Sequence, residues 1–542
     1  MKLSPIVHTR ITDYLHQYAQ QTPDSEAIVF GKKRISYQML KDQVETCAQA
    51  LLAMGVKKGD RIAMLSTPRP EYWVLFLATA GIGAIWLGVN PKYTLDECRY
   101  VIGDAQPKLL FALAAFEGRD FSSTVCALLE ENDCLEKAIA TIDPIPGTLS
   151  FQLFLDGAKE IPSSAVRLAT EAIERLDPAL LVYTSGSSGK PKGALLSHYG
   201  LCFGATTQNQ HFQVQTPKLI CSFPINHVAS VADTCSVALV AGGTIYLQER
   251  FDPEVVLDTI GRERITVMSG VPTMLMMVLA HPNFGRTDFS SVELILWGGA
   301  AMPEAVIKRL QTIAPRLMNL YGLTETAAHT TYASHNATLE ELRDSIGRPS
   351  PNMSCRIINA EGKPCAIGEQ GELQFKGEYL FLGYYNRPEA TRDAFTDDSW
   401  FHTGDLGYWR EDGTITLVGR LSEMFKSGGY NVYPREIELL LESHPDVEMA
   451  AVVGVPDPLY QEVGAAYIIP CLDNADGHCG TDTPAHMIAE QLQTFCKDKL
   501  ANYKVPKYFV ISDDLPMLPV GKIDKVTLKK RHFKTESIDN AP

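Results

Sequence analysis

The sequence predicts an α/β protein with a large amino-terminal portion and a small α+β carboxy-terminal domain, and three observations predict it. Its 542 residues exceed the roughly 250–300 that one hydrophobic core organises, so at least two domains are required. From Arg61 onward, short apolar runs alternate with helical patterns, the rhythm of βαβ units closing into largely parallel sheets. After Leu421 the order becomes helix, strand, strand, helix, strand, as in a compact α+β domain.

Apolar residues make up 45% of the chain and charged residues 21%, the balance of a folded globular protein. A net charge of -15 argues against a general binder of nucleic acid or anionic membrane, and the basic run from Lys525 to Lys534 reads as a solvated surface. The twelve cysteines form no C-x-x-C pair, and Met1 to Arg10 has no apolar leader core, so a reducing cytoplasmic setting is expected. Tyr72 to Pro91 carries no charge over a length that could span a membrane. Gly81, Gly83 and Gly88 interrupt it, so it is read as a buried helix, Trp73 to Ala80, followed by a buried strand, Ala84 to Leu87, and no membrane span is expected.

Taken in order, Ile11 to Met54 is helical in pattern, broken by the turn Thr22 to Ser25 and the short strand Ala27 to Phe30. Strands follow at Arg61 to Leu65, Ala84 to Leu87 and Lys108 to Ala112, which makes a first α/β lobe. Residues 116 to 178 give little beyond a helix near Ser122 to Asn132. A second lobe carries strands at Leu219 to Phe223, Gly243 to Leu247, Val267 to Gly270 and Leu294 to Trp297. After Gly347 the strands shorten and Gly, Pro and Asp turns multiply, as in a small β-rich subdomain: Arg356 to Ile358, Gly371 to Phe375, Trp400 to His402 and Gly413 to Val418. The last domain reads as helix Pro434 to Ser443, strands Met449 to Val453 and Ala465 to Ile469, helix Ala485 to Lys499 and strand Tyr508 to Ile511.

The stretch Tyr183 to Gly193 concentrates chemistry, because Ser, Thr, Gly and Lys follow directly on the apolar strand Ala179 to Val182. Glycines let backbone N–H groups approach a ligand, while Thr184, Ser185, Ser187 and Ser188 add hydroxyl donors and Lys190 and Lys192 add charge. A polyphosphate suits such a loop. It is not a Walker A loop, since Pro191 stands where the second glycine belongs.

With Trp297-Gly-Gly-Ala-Ala-Met-Pro303, Tyr321-Gly-Leu-Thr-Glu-Thr326, His402-Thr-Gly-Asp-Leu-Gly407, Gly419-Arg420, Gly428-Gly429, Pro434-Arg-Glu-Ile-Glu438 and Gly521-Lys-Ile523 in that order, the chain resembles the AMP-forming acyl-activating superfamily, of acyl-CoA synthetase type. The resemblance covers most of the chain. It implies an amino-terminal ATP- and acid-binding portion, residues 1–420, of two α/β lobes plus the small β-rich subdomain, and a mobile carboxy-terminal domain, residues 421–542, with a hinge near Ser422. Two departures stand out: Ser187-Ser188 replace two threonines and keep the hydroxyls, and Ser422 stands where the family places Asp or Lys.

The resemblance also implies roles. Thr184, Ser185, Gly186, Ser187, Ser188, Gly189 and Lys192 would hold phosphates, and Glu325 would be the Mg²⁺ ligand. Tyr321 would lie on adenine against the backbone of Gly299, Ala300 and Ala301, with Gly322 and Thr324 in the same nucleotide-facing motif. Asp405 and Arg420 would hold ribose, Gly428 and Gly429 would admit the CoA pantetheine, and Lys522 would bridge the acid carboxylate and the α-phosphate. Thr184, His227, Glu325 and Lys522 would be catalytic.

The acid pocket is expected from Phe223 to Asp233, Gly270 to Met274 and the residues beside Gly299. Val228, Val231 and Cys235 recur at helical spacing, and no Lys or Arg occurs from Pro224 to Leu247 to meet a second carboxylate. An apolar monocarboxylic acid, fatty or aromatic, is therefore expected. Asn226-His227 replaces the Asp by which amino-acid-activating relatives hold an ammonium. The expected substrates are this acid, ATP with Mg²⁺, and coenzyme A; loading of a carrier protein is the alternative, although no carrier domain is expected after Pro542. The oligomeric state stays open, with a homodimer as one outcome.

Overall fold

The apolar runs become the strands of two large sheets. The computed structural model describes residues 6–184, 190–471, 485–517 and 523–539. It divides into Met1–Ser354 with Phe375–Phe401, and Cys355–Gln374 with His402–Pro542.

In the first unit an eight-stranded sheet runs Gly383–Tyr384, Lys192–Ser197, Pro178–Thr184, Ile85–Val89, Arg61–Leu65, Leu109–Ala112, Lys137–Ala140, Leu149–Ser150. Its middle is parallel, and the hairpin that brackets the glycine-rich loop is antiparallel. Strand Ile85–Val89 shows why these runs are continuously apolar: Trp86 packs into one core, while Ile85, Leu87 and Val89 pack into the core on the opposite face. The uncharged stretch resolves into helix Pro70–Gly81 and this strand. Among the described residues, no helix is long and apolar enough to cross a membrane.

The second sheet has nine strands in the order Arg348–Pro349, His329–Tyr332, Leu317–Gly322, Leu294–Gly298, Val267–Gly270, Lys218–Cys221, Thr244–Leu247, Glu26–Phe30, Lys33–Ser36. Strand Glu26–Phe30 belongs here, pairing parallel with Thr244–Leu247 through Ile28 and Ile245. Local patterning could not show this, because the partner lies more than two hundred residues away.

The second unit contains most of a four-stranded sheet, Met353–Ile358, Gly371–Gly377, Phe401–Trp409, Ile415–Arg420, and a sheet built on the long antiparallel pair Val447–Asp457 and Gln461–Pro470. Strand Tyr508–Ile511 adds in parallel to Gln461–Pro470, and the hairpin Phe425–Ser427, Tyr430–Val432 joins that same strand at Gln461. Helix Pro434–Glu442 buries Ile437 and Leu441 together with the charged Glu438. Glu438 is held by Lys525 at 2.8 Å, by Arg435 at 3.2 Å and by the Val452 N–H at 2.9 Å, which explains the acidic end of its motif.

Candidate active site

The glycine-rich loop leaves one sheet strand and returns along the next. Thr184 and Lys192 are cross-strand partners, and the Thr184 hydroxyl donates to the Lys192 carbonyl at 3.3 Å. Ser185, Gly186, Ser187, Ser188 and Gly189 lie outside the described residues. The loop's flanks are anchored by residues that the sequence did not single out. Tyr183 donates to Asp104 at 2.7 Å, Arg387 pairs with the same carboxylate, and Tyr100 donates to the Pro191 carbonyl at 2.7 Å. Gly193 admits a close strand contact, since a Cβ there would sit 2.7 Å from Leu181 Cδ1.

Glu325 sits in the turn Thr324–Thr326 with 8% of its surface exposed. Tyr384 donates to Glu325 Oε1 at 2.8 Å, and Lys192 Nζ lies 5.1 Å from the Tyr384 ring centroid. Burial first, and then the Glu325 charge, pushes the Tyr384 phenol well above its ordinary range, so it remains a donor. One buried carboxylate with a neutral partner fits Mg²⁺, which is commonly bound through one or two carboxylates plus substrate phosphates. Among the described residues, no group of three or more His, Cys, Asp or Glu gathers as an all-protein cage.

At the carboxyl edge of the nine-stranded sheet, Gly298 pairs with Leu320, which brings Gly299 and Tyr321 side by side as the next residues along. Ligands of open α/β sheets bind at this edge. Gly299 has φ +84, and with Ala300 it is exposed; Ala301 is half-buried. Tyr321 is 9% exposed, its ring 6.1 Å from Phe375, while Gly322 is exposed and Thr324 half-buried.

His227 caps the short helix Val228–Ser230, its Nδ1 accepting the Ala229 N–H at 3.1 Å. The neutral imidazole therefore carries its proton on Nε2. The helix expected here widens into a π turn over Val231–Ser236, a winding that is rare and frequent at functional sites. Val228, Val231 and Cys235 are buried as the spacing suggested.

In the second unit, Asp405 and Arg420 are cross-strand partners, with Arg420 Nε 2.8 Å from Asp405 Oδ1. Gly428 and Gly429 form the two-residue turn between Ser427 and Tyr430, both at positive φ, as a type I′ hairpin requires. Ser422 is exposed in the turn that follows Arg420. Lys522 lies outside the described residues, between the bridge partners Met517 and Ile523.

The AMP-binding enzyme family matches residues 15–385, and its C-terminal domain matches residues 436–522. The chain is 32% identical to the mitochondrial medium-chain acyl-CoA ligase of Mus musculus, over 97% of this chain and 88% of that protein. It is 33% identical to a feruloyl-CoA synthase from Amycolatopsis sp, over 95% and 97%. The crystal structure of ATP-bound MatB from Rhodopseudomonas palustris is similar over 96% of this chain and 99% of that one, at 28% identity and a TM-score of 0.83. By these two family matches and these relatives, the chain belongs to the AMP-binding enzyme family, as an ATP-dependent, AMP-forming ligase of the acyl-CoA synthetase type.

Proposed function

We propose that this chain activates an apolar monocarboxylic acid, medium-chain fatty or aromatic, and passes the acyl group to coenzyme A in the cytoplasm. The observation that carries the reading is the buried Val228, Val231 and Cys235 in a stretch, Pro224 to Leu247, that holds no Lys or Arg. The names of the two curated relatives, a medium-chain and a feruloyl enzyme, support the same class.

In this reading a carboxylate oxygen attacks the α-phosphorus, the bond to pyrophosphate breaks, and an acyl-adenylate results. The CoA sulfur then attacks the acyl carbon, the bond to AMP breaks and the thiol proton is released. Repulsion between carboxylate and phosphate is the main obstacle, so the residues act by positioning and charge. Thr184, Lys192 and the loop Ser185 to Gly189 hold phosphate oxygens, and Tyr321 with Gly299 to Ala301 holds adenine. Asp405, fixed by Arg420, accepts the ribose hydroxyls. His227 offers an Nε2 proton beside the acid carboxylate. Mg²⁺ on Glu325 would neutralise phosphate charge.

Residues 421–542 are proposed to rotate about Ser422, presenting Lys522 for the first step and the Gly428–Gly429 turn for the second. Lys522→Ala is expected to slow adenylate formation by several orders of magnitude and to spare thioester formation from supplied acyl-adenylate; a bulky residue at Gly429 does the reverse. Ser422→Pro is expected to spare the first step and impair the second. Equal slowing of both steps by Lys522→Ala excludes the two-face mechanism. A panel of acids assayed by pyrophosphate exchange tests the substrate class, and preference for a dicarboxylic acid overturns it. Transfer to a phosphopantetheinylated protein in preference to free CoA would make the acceptor a carrier.

A further inference from the structure

Behind the glycine-rich loop, helix Leu95–Ala105 presents Tyr100 and Asp104 one turn apart on a single face. Tyr100 donates to the Pro191 carbonyl at 2.7 Å, and Lys190 Nζ lies 5.6 Å from its ring centroid, so Tyr100 holds the strand that leaves the loop. Asp104 holds the strand that enters, its Oδ2 accepting from the Tyr183 hydroxyl at 2.7 Å. Oδ1 of the same carboxylate pairs with Arg387. Arg387 follows closely on Tyr384, which donates to Glu325, the proposed Mg²⁺ ligand, at 2.8 Å. One carboxylate therefore joins the flank of the phosphate loop to the segment that fixes Glu325.

Asp104 does not serve its own helix. It stands in the last turn, where the helix dipole disfavours an anion and no basic residue of the helix offsets it. Its side chain is only 11% exposed, so its charge depends on the two contacts that reach across to Tyr183 and Arg387. Burial first, and then Asp104, push the Tyr183 phenol well above its ordinary range, so it stays a donor. The Tyr183 ring lies over Gly193, where an added Cβ would sit 3.2 Å from Tyr183 Cζ, and a ring fixed by Asp104 thus bears on both strands of the hairpin. Side chains alternate along a strand, so with Tyr183 turned to Asp104 the next residue, Thr184, faces the other way, beside its cross-strand partner Lys192.

We propose that Asp104 is a positioning residue for the pyrophosphate-bearing half-reaction: through Tyr183 it sets Thr184 and Lys192 against the β- and γ-phosphates, and through Arg387 it keeps Tyr384, and so Glu325, in register with them. Adenylate formation needs that register, because displacement of about 1 Å at such a site can cost on the order of a hundredfold in rate. The thioester step does not need it, since an acyl-adenylate carries the α-phosphate alone. Asp104 lies outside every motif of the sequence, and helical spacing on its own connects it to neither Tyr183 nor Arg387.

The inference rests on the ligase reading, and one set of variants separates the two. Pyrophosphate exchange is measured with whichever acid of a panel the wild-type protein exchanges best, and thioester formation is measured from CoA and the supplied adenylate of that acid. Asp104→Ala is expected to raise KM for pyrophosphate and for ATP by about tenfold or more, and to leave the thioester step within about twofold of wild type. Tyr183→Phe keeps the ring over Gly193 and removes the hydroxyl, so it should move the same two constants in the same direction by a smaller factor. Arg99→Gln is the control: Arg99 belongs to the same helix but pairs with Glu131 at 2.6 Å, and its loss should change neither step. If Asp104→Ala fails to fold, Tyr183→Phe decides. Equal slowing of both steps, an unaltered KM for pyrophosphate, or an Arg99→Gln effect as large as that of Asp104→Ala overturns the inference and leaves the ligase reading standing. No exchange with any acid overturns both.

Discussion

Each unit carries a buried carboxylate assigned to the nucleotide, and the two are held in opposite ways. Glu325 in the first unit is held by a neutral phenol, with Lys192 Nζ 5.1 Å from the centroid of that phenol's ring. Asp405 in the second is held directly by a guanidinium. The difference fits what each is proposed to bind. A carboxylate that serves a divalent cation must keep its full charge, and a hydrogen bond from tyrosine fixes its direction without cancelling it. A carboxylate that accepts sugar hydroxyls needs only lone pairs in fixed positions, and a cross-strand arginine supplies the rigidity.

The largest effect expected from this contrast is on Glu325. Glu325→Gln keeps the acceptor for Tyr384 and removes the charge, so adenylate formation should fall by roughly 10²–10³, the range seen when one transition-state electrostatic contact is removed. Asp405→Asn keeps most lone pairs and should cost about tenfold to a hundredfold, mostly as a raised KM for ATP. Stopped-flow measurement of adenylate formation at varied ATP and Mg²⁺ separates them. If both substitutions shift the Mg²⁺ dependence equally, the contrast is wrong.

The units should also differ in acid. His198 in the first unit is fully buried, with neither ring nitrogen bonded among the described residues, and burial lowers its pKa from 6.5 to about 4. His211, half-buried and stacked on Tyr332 at 3.8 Å, is likewise lowered to about 4, burial first and His335 second. The unfolded chain takes up these protons near pH 6.5 while the folded chain refuses them, so this stability is complete above 6.5 and is lost as pH falls towards 4. For His198 the loss amounts to about 3 kcal/mol. In the second unit, burial raises the Glu438 pKa, but Lys525 and Arg435 hold it below the ordinary 4.5 overall, so that contribution is lost only at lower pH. Denaturant titrations between pH 7 and 4, read by the mostly first-unit tryptophans, should show the first unit weakening earlier, and His198→Leu should flatten its slope. Simultaneous weakening of both units would refute the assignment.

Much of this was legible in the chain. Strands buried on both faces announce themselves as unbroken apolar runs, so Arg61–Leu65, Ile85–Val89 and Leu294–Gly298 fell where periodicity put them. Motifs that are contiguous, such as Tyr321 to Glu325, were legible for the same reason. What lay hidden depends on partners far apart: strand Glu26–Phe30 beside Thr244–Leu247, Tyr183 on Asp104, and Gln208 beside Asp233 and His329. Tyr384 belongs with these, being 59 positions from the glutamate it serves.

Tyr384 gives the smallest effect and the sharpest test, because it touches Glu325 without being assigned to substrate. Tyr384→Phe keeps the ring against which Lys192 lies and removes only the hydroxyl at 2.8 Å. A hydrogen bond to a charged acceptor contributes about 1.5–3 kcal/mol in general, but water can replace part of it at a site that solvent reaches. The Mg²⁺ concentration for half-maximal adenylate formation should therefore rise by about five- to tenfold, with KM for the acid unchanged. Calorimetric binding of ATP should weaken by a similar factor in the presence of Mg²⁺ and stay unchanged in its absence, a result that general loosening of the fold cannot imitate. Tyr384→Leu should add a deficit without Mg²⁺, since it also removes the surface beneath Lys192. A Tyr384→Phe protein with lowered thermal stability but an unaltered Mg²⁺ requirement would reduce the tyrosine to a packing residue, and the neutral-partner account of Glu325 would go with it.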